Sequence, residues 1–273
     1  MLLARTVTGF LGAALLLACV VLGHWYFLLF VGLIFLAGHG EFMSMRKQKR
    51  DVVSLTVTAL FGLILLFWNT SFGGGVWSAF HGLDALLWPL LILLAWTVFS
   101  NNRYTYEHLA FDFCSALFLG LGLHYVLLIR FLPFNGFYWF LLFLLGIWAT
   151  DIGAYFVGRW IGGPKLCPGI SPNKTISGAI GGLLVALAFT LCYSWLLYTE
   201  LRTHWIAIAL ITVGTSMFGQ LGDLVESALK RTMGVKDSGT LLPGHGGILD
   251  RFDSLIFAAP VAYHLIVWTS QMR

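Results

Sequence analysis

Charged residues are scarce in this sequence. Its 273 residues include 16 Lys and Arg and 12 Asp and Glu, which is 10% of the chain, whereas 59% of the residues are hydrophobic. A soluble globular domain has roughly 25% charged residues. The composition therefore excludes an ordinary soluble domain and predicts an all-α, polytopic integral membrane protein. No polar region is long enough to fold separately, so we expect a single membrane domain.

Cysteine patterns and internal repeats are also lacking. The four cysteines are scattered, with no Cys-x-x-Cys pair and no Cys and His spacing typical of a zinc site. The sequence therefore gives no sign of a disulfide framework. Many transporter folds are built from repeated halves, so the absence of a repeat argues against a transporter. A carrier that uses Asp151 and Asp223 is kept as an alternative.

Long apolar runs account for most of the chain. A membrane span needs about 20 mainly apolar residues, and nine segments meet or approach this length. They are residues 6–22, 26–39, 53–68, 83–99, 111–131, 137–157, 176–197, 205–221 and 252–268. We therefore expect about nine spans, although counts of eight to ten are defensible.

The basic residues predict the orientation of these spans. With a cytoplasmic N-terminus, 13 of the 16 Lys and Arg face the cytoplasm, and three face outward: Arg130, Arg202 and Arg273. Cytoplasmic loops carry an excess of Lys and Arg, so the N-terminus is expected inside. The polar loop before the last span then also lies on the cytoplasmic side.

The charge that is present is concentrated between residues 221 and 254, which contain nine of the charged residues. Four polar residues come first, at the spacing i, i+3, i+4 and i+7: Asp223, Glu226, Ser227 and Lys230. This spacing places them on one face of a helix. A loop rich in Gly follows, and Asp250, Arg251 and Asp253 then open the last apolar run.

Carboxylates at two helix ends, beside basic residues and glycines, are typical of a site for Mg²⁺ and phosphate. Mg²⁺ is usually held by one or two carboxylates together with substrate phosphates, and we assign Asp223 and Asp250 as its ligands. A second cation is consistent with two-metal chemistry. Gly246 and Gly247 let backbone N–H groups approach an anion near a helix start. A merely solvated loop, the alternative, does not require three Asp residues at helix ends.

A second polar region surrounds the sixth and seventh predicted spans. Asp151 lies in an otherwise apolar helix, and such a carboxylate is either functional or a hydrogen-bonding strut. Gly and Pro keep the following segment out of a helix. Its phosphate-binding candidates are Ser171, Lys174 and Thr175. In the seventh span Gly178, Gly181 and Gly182 predict close helix packing.

Glu41 lies beside the basic run 46–50, near the end of the second span. It is placed either to pair with one of those cations or to line the site. The sequence leaves both interpretations open.

The polar motif resembles the signature of the phosphatidate cytidylyltransferases. It reads Ser227-x-x-Lys-Arg, then Lys236-Asp, then Leu-Pro-Gly-His-Gly-Gly, then Asp250-Arg-x-Asp. The segments Asp151-x-x-Ala-Tyr and Ser171-Pro-x-Lys-Thr are similar to the family as well, whereas Ser177 stands where many members have an acidic or amide residue. The resemblance covers residues 148–273. It implies N-terminal spans in residues 1–140 and a catalytic region with cytoplasmic-face loops in 141–273.

The resemblance implies transfer of a cytidylyl group from CTP to phosphatidate, giving CDP-diacylglycerol and pyrophosphate. It also implies a bacterial inner-membrane enzyme with its site on the cytoplasmic side, a homodimer, contact with membrane lipid and no nucleic-acid partner. The alternative is another CTP-dependent membrane lipid enzyme, such as a polyprenol kinase or an archaeal-type CDP-lipid synthase.

Each candidate site residue has an expected role. Catalytic roles are expected for Asp223, Asp250, Lys230, Arg231 and Asp253, of which Asp253 either binds metal or orients Arg251. Substrate-binding roles are expected for Ser171, Lys174, Thr175, Lys236, Asp237, His245, Gly246, Gly247 and Arg251.

Overall fold

The described part of the chain is mainly helical. A computed structural model describes residues 2–46, 51–68, 83–241 and 246–271, with side chains from residue 8 onward. The helices in these ranges are α1 (Leu2–Leu22), α2 (His24–Met45), α3 (Val52–Leu66), α4 (Asp84–Phe99), α5 (Tyr106–Arg130), α6 (Gly136–Ile161), α7 (Ile176–Leu196), α8 (Tyr198–Leu201), α9 (Trp205–Thr232) and α10 (Leu249–Gln271). Two strands, β1 (Lys165–Cys167) and β2 (Ser171–Thr175), lie between α6 and α7.

Six of the helices within the described ranges are long and apolar enough to cross a membrane. They are α2, α5, α6, α7, α9 and α10, with mean hydropathies from 1.3 to 2.0. This confirms the prediction of an all-α, multi-pass membrane protein. Helices α3 and α4 and the segment Thr8–Leu22 of α1 are apolar but shorter. A helix therefore stands at each of the nine predicted positions, while the count of nine spans stays a prediction.

Helix α9 is longer than its hydropathy predicts. The apolar run ends near Leu221, but the helix continues to Thr232. Glu226 in this extension is buried, and its carboxylate accepts a hydrogen bond from Lys230 one turn later. Hydropathy therefore detected only the apolar part of α9. The extension places the charged residues of the motif on a regular helix.

The chain divides into two compact units. The first comprises Met1–His124 and Asp237–Leu249, and the second comprises Tyr125–Lys236 and Asp250–Arg273. The candidate site residues are accordingly distributed over both units. The predicted division at residue 140 stays a prediction about function.

A buried ion pair joins helices in the first unit. Asp112 of α5 is fully buried, and Arg46 after α2 donates to both of its carboxylate oxygens at 2.9 Å. Ser54 of α3 donates to the same carboxylate, as does the Tyr104 hydroxyl at 3.1 Å. Burial raises the pKa of Tyr104, so its phenol remains a hydrogen donor. A buried charge is tolerated when it is paired and hydrogen-bonded in this way.

Close helix packing dominates the second unit. A Cβ atom at Gly182 of α7 would lie 2.6 Å from the carbonyl oxygen of Thr150, and one at Gly178 would lie 2.8 Å from that of Ala154. Both carbonyls belong to α6, so the two helix backbones approach each other where α7 lacks side chains. This confirms the packing role predicted for the glycines of α7.

The loop predicted between α6 and α7 contains a small antiparallel hairpin. Lys165 lies opposite Thr175, and Cys167 lies opposite Ser171. Thr175 then caps α7, because its side-chain oxygen accepts a hydrogen bond from the backbone N–H of Gly178 at 3.1 Å. The hairpin thus holds Ser171 and Lys174 in a fixed strand directly before α7.

Candidate functional site

The predicted polar face of α9 is present in the structure. Ser227 Oγ donates to Asp223 Oδ1 at 3.3 Å, and Lys230 Nζ donates to Glu226 Oε2 at 3.3 Å. Each pair is separated by one helical turn. The contacts confirm that these four side chains share one face.

Lys230 is held between two carboxylates. Its Nζ atom lies 2.5 Å from Asp250 Oδ1 at the start of α10 and 3.3 Å from Glu226 Oε2. The side chains of Lys230, Asp250 and Glu226 are only 12%, 8% and 6% exposed. Removing one partner of such a buried group is costly, because it leaves a charge without compensation. Lys230 therefore ties α9 to the first turn of α10 and orients Asp250.

A second ion pair joins the hairpin to α9. Lys174 Nζ of β2 lies 2.5 Å from Asp223 Oδ2, and the two side chains are 28% and 35% exposed. This pair is thus much more open to solvent than the pair between Lys230 and Asp250. A partner that brings its own charge can compete for either side chain at a small cost.

Asp151 of α6 belongs to the same cluster of charges. The residue is exposed, and its carboxyl interacts electrostatically with those of Asp253 and Asp223 and with Lys174 and Arg251. Helices α6, α9 and α10 and strand β2 therefore each contribute charged side chains to one region of the second unit. Both interpretations of Asp151, a functional carboxylate and a hydrogen-bonding strut, stay predictions.

Glu226 and Asp253 bring two carboxyl groups together. The two carboxyls interact electrostatically, and Glu226 Oε1 is buried with no hydrogen-bond partner among the described residues. Sequence reasoning placed Glu226 on the polar face but gave it no role, because spacing along one helix does not reveal that this side chain is buried.

The carboxylates of the second unit fit a hard cation that arrives with a phosphate ligand. In the described part of the chain, no group of three or more His, Cys, Asp and Glu side chains is arranged to hold a metal ion. Mg²⁺ needs only one or two carboxylates when substrate phosphates and water supply the other oxygens. The predicted ligands Asp223 and Asp250 each accept a lysine ammonium group here. Both carboxylates therefore already bind a positively charged group, as a ligand of a cation must.

The other predicted site residues differ in their contacts and exposure. Arg231 Nε donates to the carbonyl oxygen of Ile170, in the hairpin turn, at 3.4 Å. Ser171 is half-buried, whereas the Thr175 hydroxyl is buried in its capping bond, so Thr175 shapes the loop. The exposed candidates, all of them charged, are Arg231, Lys236, Asp237 and Arg251.

The segment Asp237–Leu249 belongs to the first unit. His245 lies outside the described residues, whereas Gly246 is half-buried and Gly247 is buried. The sequence predicts a substrate anion near the start of α10. In the structure, however, the backbone N–H groups of Ile248 and Leu249 donate to Glu41, at 2.7 and 3.0 Å. The anion at these two N–H groups is therefore a side chain of the protein itself.

Comparison with known proteins agrees with these features. A sequence model of the Cytidylyltransferase family matches residues 3–269. The chain is 41% identical over 266 residues to the phosphatidate cytidylyltransferase of Bacillus subtilis (strain 168), covering 96% of both chains. It is 38% identical over 263 residues to the phosphatidate cytidylyltransferase of Staphylococcus haemolyticus (strain JCSC1435), covering 96% of this chain and 98% of the relative. For the protein of the same name from Staphylococcus aureus (strain COL), the identity is 37% over 263 residues, with the same coverage. The similarity therefore includes the first 140 residues, in which the sequence shows apolar runs but no motif of the family.

Proposed function

Because the chain belongs to the cytidylyltransferase family, we propose that it transfers the cytidylyl group of CTP to phosphatidate, giving CDP-diacylglycerol and pyrophosphate. The observation that carries this proposal is the charged cluster of the second unit, which combines Asp151, Lys174, Asp223, Lys230 and Asp250. Such a cluster supplies carboxylates for a cation and basic groups for phosphate in an otherwise apolar chain. The names of the relatives supply the substrates.

The reaction is a displacement at the α-phosphorus of CTP. A phosphate oxygen of phosphatidate forms the new P–O bond, and the bond from the α-phosphorus to the oxygen that bridges to the β-phosphorus breaks. The pyrophosphate leaves with that bonding electron pair. Because the attacking oxygen is already anionic, no strong general base is needed. Catalysis then rests on positioning the two phosphates and neutralising charge at the α-phosphorus.

The exposed basic side chains bind the substrates. Arg231, Lys236 and Arg251 bind the triphosphate and the leaving pyrophosphate, since Arg pairs with phosphate bidentately and Lys acts as a point charge. Lys174 and Ser171, on β2, bind the phosphate of the lipid. The partly exposed pair between Lys174 and Asp223 supports this assignment, because it opens at a small cost.

Asp223 and Asp250 would hold Mg²⁺, and the paired carboxyls of Glu226 and Asp253 offer oxygens for a second cation. Bound Mg²⁺ supplies positive charge that screens the nucleotide phosphates. Lys230 acts on the protein side, where it keeps the Asp250 carboxylate in one orientation.

The protein is a multi-pass protein of the bacterial inner membrane with its N-terminus and charged cluster on the cytoplasmic side. The excess of Lys and Arg in the loops assigned to that side supports this orientation. Topology reporters fused after Asn135 and after Lys236 should report opposite sides of the membrane. The proposed homodimer rests on the family resemblance, and the mass of the protein in detergent tests it.

Pyrophosphate release tests the function directly. The purified protein is given CTP, Mg²⁺ and phosphatidate in mixed micelles, and each component is omitted in turn. Release that requires all three components supports the proposal. Release of CDP instead of pyrophosphate would indicate a kinase. A protein that does not bind CTP at all would restore the carrier alternative.

A further inference from the structure

Glu41 connects the second helix to the signature segment about 200 residues later in the chain. It is 7% exposed on α2. Its Oε1 atom accepts a hydrogen bond from the Ile248 N–H at 2.7 Å, and its Oε2 atom accepts from the Leu249 N–H at 3.0 Å and from Ser238 Oγ at 2.9 Å. All of these atoms lie in the first unit. The carboxylate thus binds the segment on both sides of residues 242–245.

The geometry uses both oxygens of the carboxylate. Helix α10 begins at Leu249, and the first N–H groups of a helix have no partner within the helix. A carboxylate there gains charge-assisted hydrogen bonds and the favourable field of the helix dipole. A neutral amide of the same shape has only one oxygen, so it cannot accept all three hydrogen bonds.

Two glycines of the signature make room for this carboxylate. A Cβ atom at Gly239 would lie 2.7 Å from Glu41 Oε1, and one at Gly247 would collide with Glu41 Oε2 and Ser238 Oγ. The contact with Glu41 therefore accounts for a glycine at position 247. Gly239, Gly247 and Glu41 are therefore closely packed against one another.

We propose that Glu41 is a positioning residue for the proposed reaction: it clamps Ser238, Ile248 and Leu249 and thereby sets the backbone from which Asp250 projects. Asp250 follows Leu249 directly in the chain. The clamp therefore acts on Asp250 through the backbone, while Lys230 orients its side chain. This inference rests on the proposed function only where it concerns Mg²⁺ and CTP; the clamp itself is a structural feature.

Hydrogen exchange of the amides of Ile248 and Leu249 tests the clamp without any substrate. In Glu41→Gln, one of these N–H groups or the Ser238 hydroxyl faces an amide donor, so we expect exchange in this segment to be faster by about tenfold or more. Glu107→Gln makes the same chemical change at an exposed residue of the first unit, and wild-type exchange is expected there. Unchanged exchange in folded Glu41→Gln protein would overturn the proposal.

Kinetics test the positioning role. Because outer partners of metal ligands affect metal affinity by about tenfold or more, Glu41→Gln should raise the Mg²⁺ concentration for half-maximal activity by about that factor, while the KM for phosphatidate stays unchanged. A general folding defect lowers kcat without shifting the Mg²⁺ dependence. Faster exchange with wild-type Mg²⁺ dependence would show that the clamp does not position Asp250, and would also overturn the proposal.

A second variant covers the case in which Glu41→Gln does not fold. Ser238→Ala removes one of the three donors to the carboxylate, and it should shift exchange and Mg²⁺ dependence in the same direction by a smaller amount. Wild-type hydrogen exchange together with wild-type Mg²⁺ dependence in Ser238→Ala would contradict the clamp. If the wild-type protein itself releases no pyrophosphate, the proposed function fails, and hydrogen exchange still decides whether the clamp exists.

Discussion

Replacing Lys230 with Met tests whether its ammonium group holds two buried carboxylates. The substitution keeps a long side chain but leaves Glu226 and Asp250, which are 6% and 8% exposed, without their shared cation. Removing one partner of a buried ion pair costs about 3–5 kcal/mol. We expect a loss of stability of this size, because both carboxylates lose their compensation while the apolar stem is retained.

Stability is measured by unfolding the purified variants in detergent. Arg231→Met is the matched control, because its side chain is exposed and the described contact of its Nε atom is one 3.4 Å hydrogen bond to Ile170. Surface substitutions of this kind usually change stability by about 0.5 kcal/mol or less. Adding Glu226→Gln to Lys230→Met should recover part of the loss, since it removes one uncompensated charge. Equal stability of Lys230→Met and Arg231→Met would refute the argument.

Three further predictions concern the site and the helix packing. Asp223→Asn should reduce pyrophosphate release below about a tenth of the wild-type rate while the protein remains folded; a higher rate in folded protein would contradict its role as a metal ligand. Lys174→Ala should raise the KM for a phosphate-bearing substrate, whereas Lys165→Ala, an exposed lysine of the same hairpin, should not; unchanged kinetics for both substrates of Lys174→Ala would remove β2 from the site. Gly182→Ala should lower the free energy of unfolding by about 1–3 kcal/mol because its Cβ atom meets Thr150. Gly12→Ala, which meets no atom within 4 Å, is the control, and equal stabilities would argue against tight packing of α6 on α7.

The positions of the helices were predictable because apolar runs are a direct property of the sequence. Every predicted run contains a helix. Hydropathy alone did not predict the end of α9, since residues 222–232 mix charged and apolar residues; the helical spacing from Asp223 to Lys230 indicated the extension instead. The hairpin of β1 and β2 was missed because Gly and Pro indicate only that the segment is not helical.

Contacts within one helix were predictable, whereas contacts between distant segments were not. The spacing of Asp223, Ser227 and Lys230 gave the polar face of α9 correctly. Helical spacing carries no information about Lys174 and Asp223, which meet only because the hairpin lies against α9. Glu41 is the extreme case, because nothing in its local sequence indicates Ser238 or Ile248 as a partner.

The two lysine–carboxylate pairs of the second unit are similar in distance but different in exposure. Both pairs have an N–O distance of 2.5 Å, yet the side chains of Lys174 and Asp223 are 28% and 35% exposed, against 12% and 8% for Lys230 and Asp250. An exposed pair is worth about 0–1 kcal/mol, whereas breaking a buried one costs several times more. Under the proposed function, we therefore expect an incoming phosphate to take Lys174 from Asp223, which leaves that carboxylate for a cation. The same exchange at Lys230 would leave two buried carboxylates without a cation, so we expect Lys230 to keep its contacts when substrates bind.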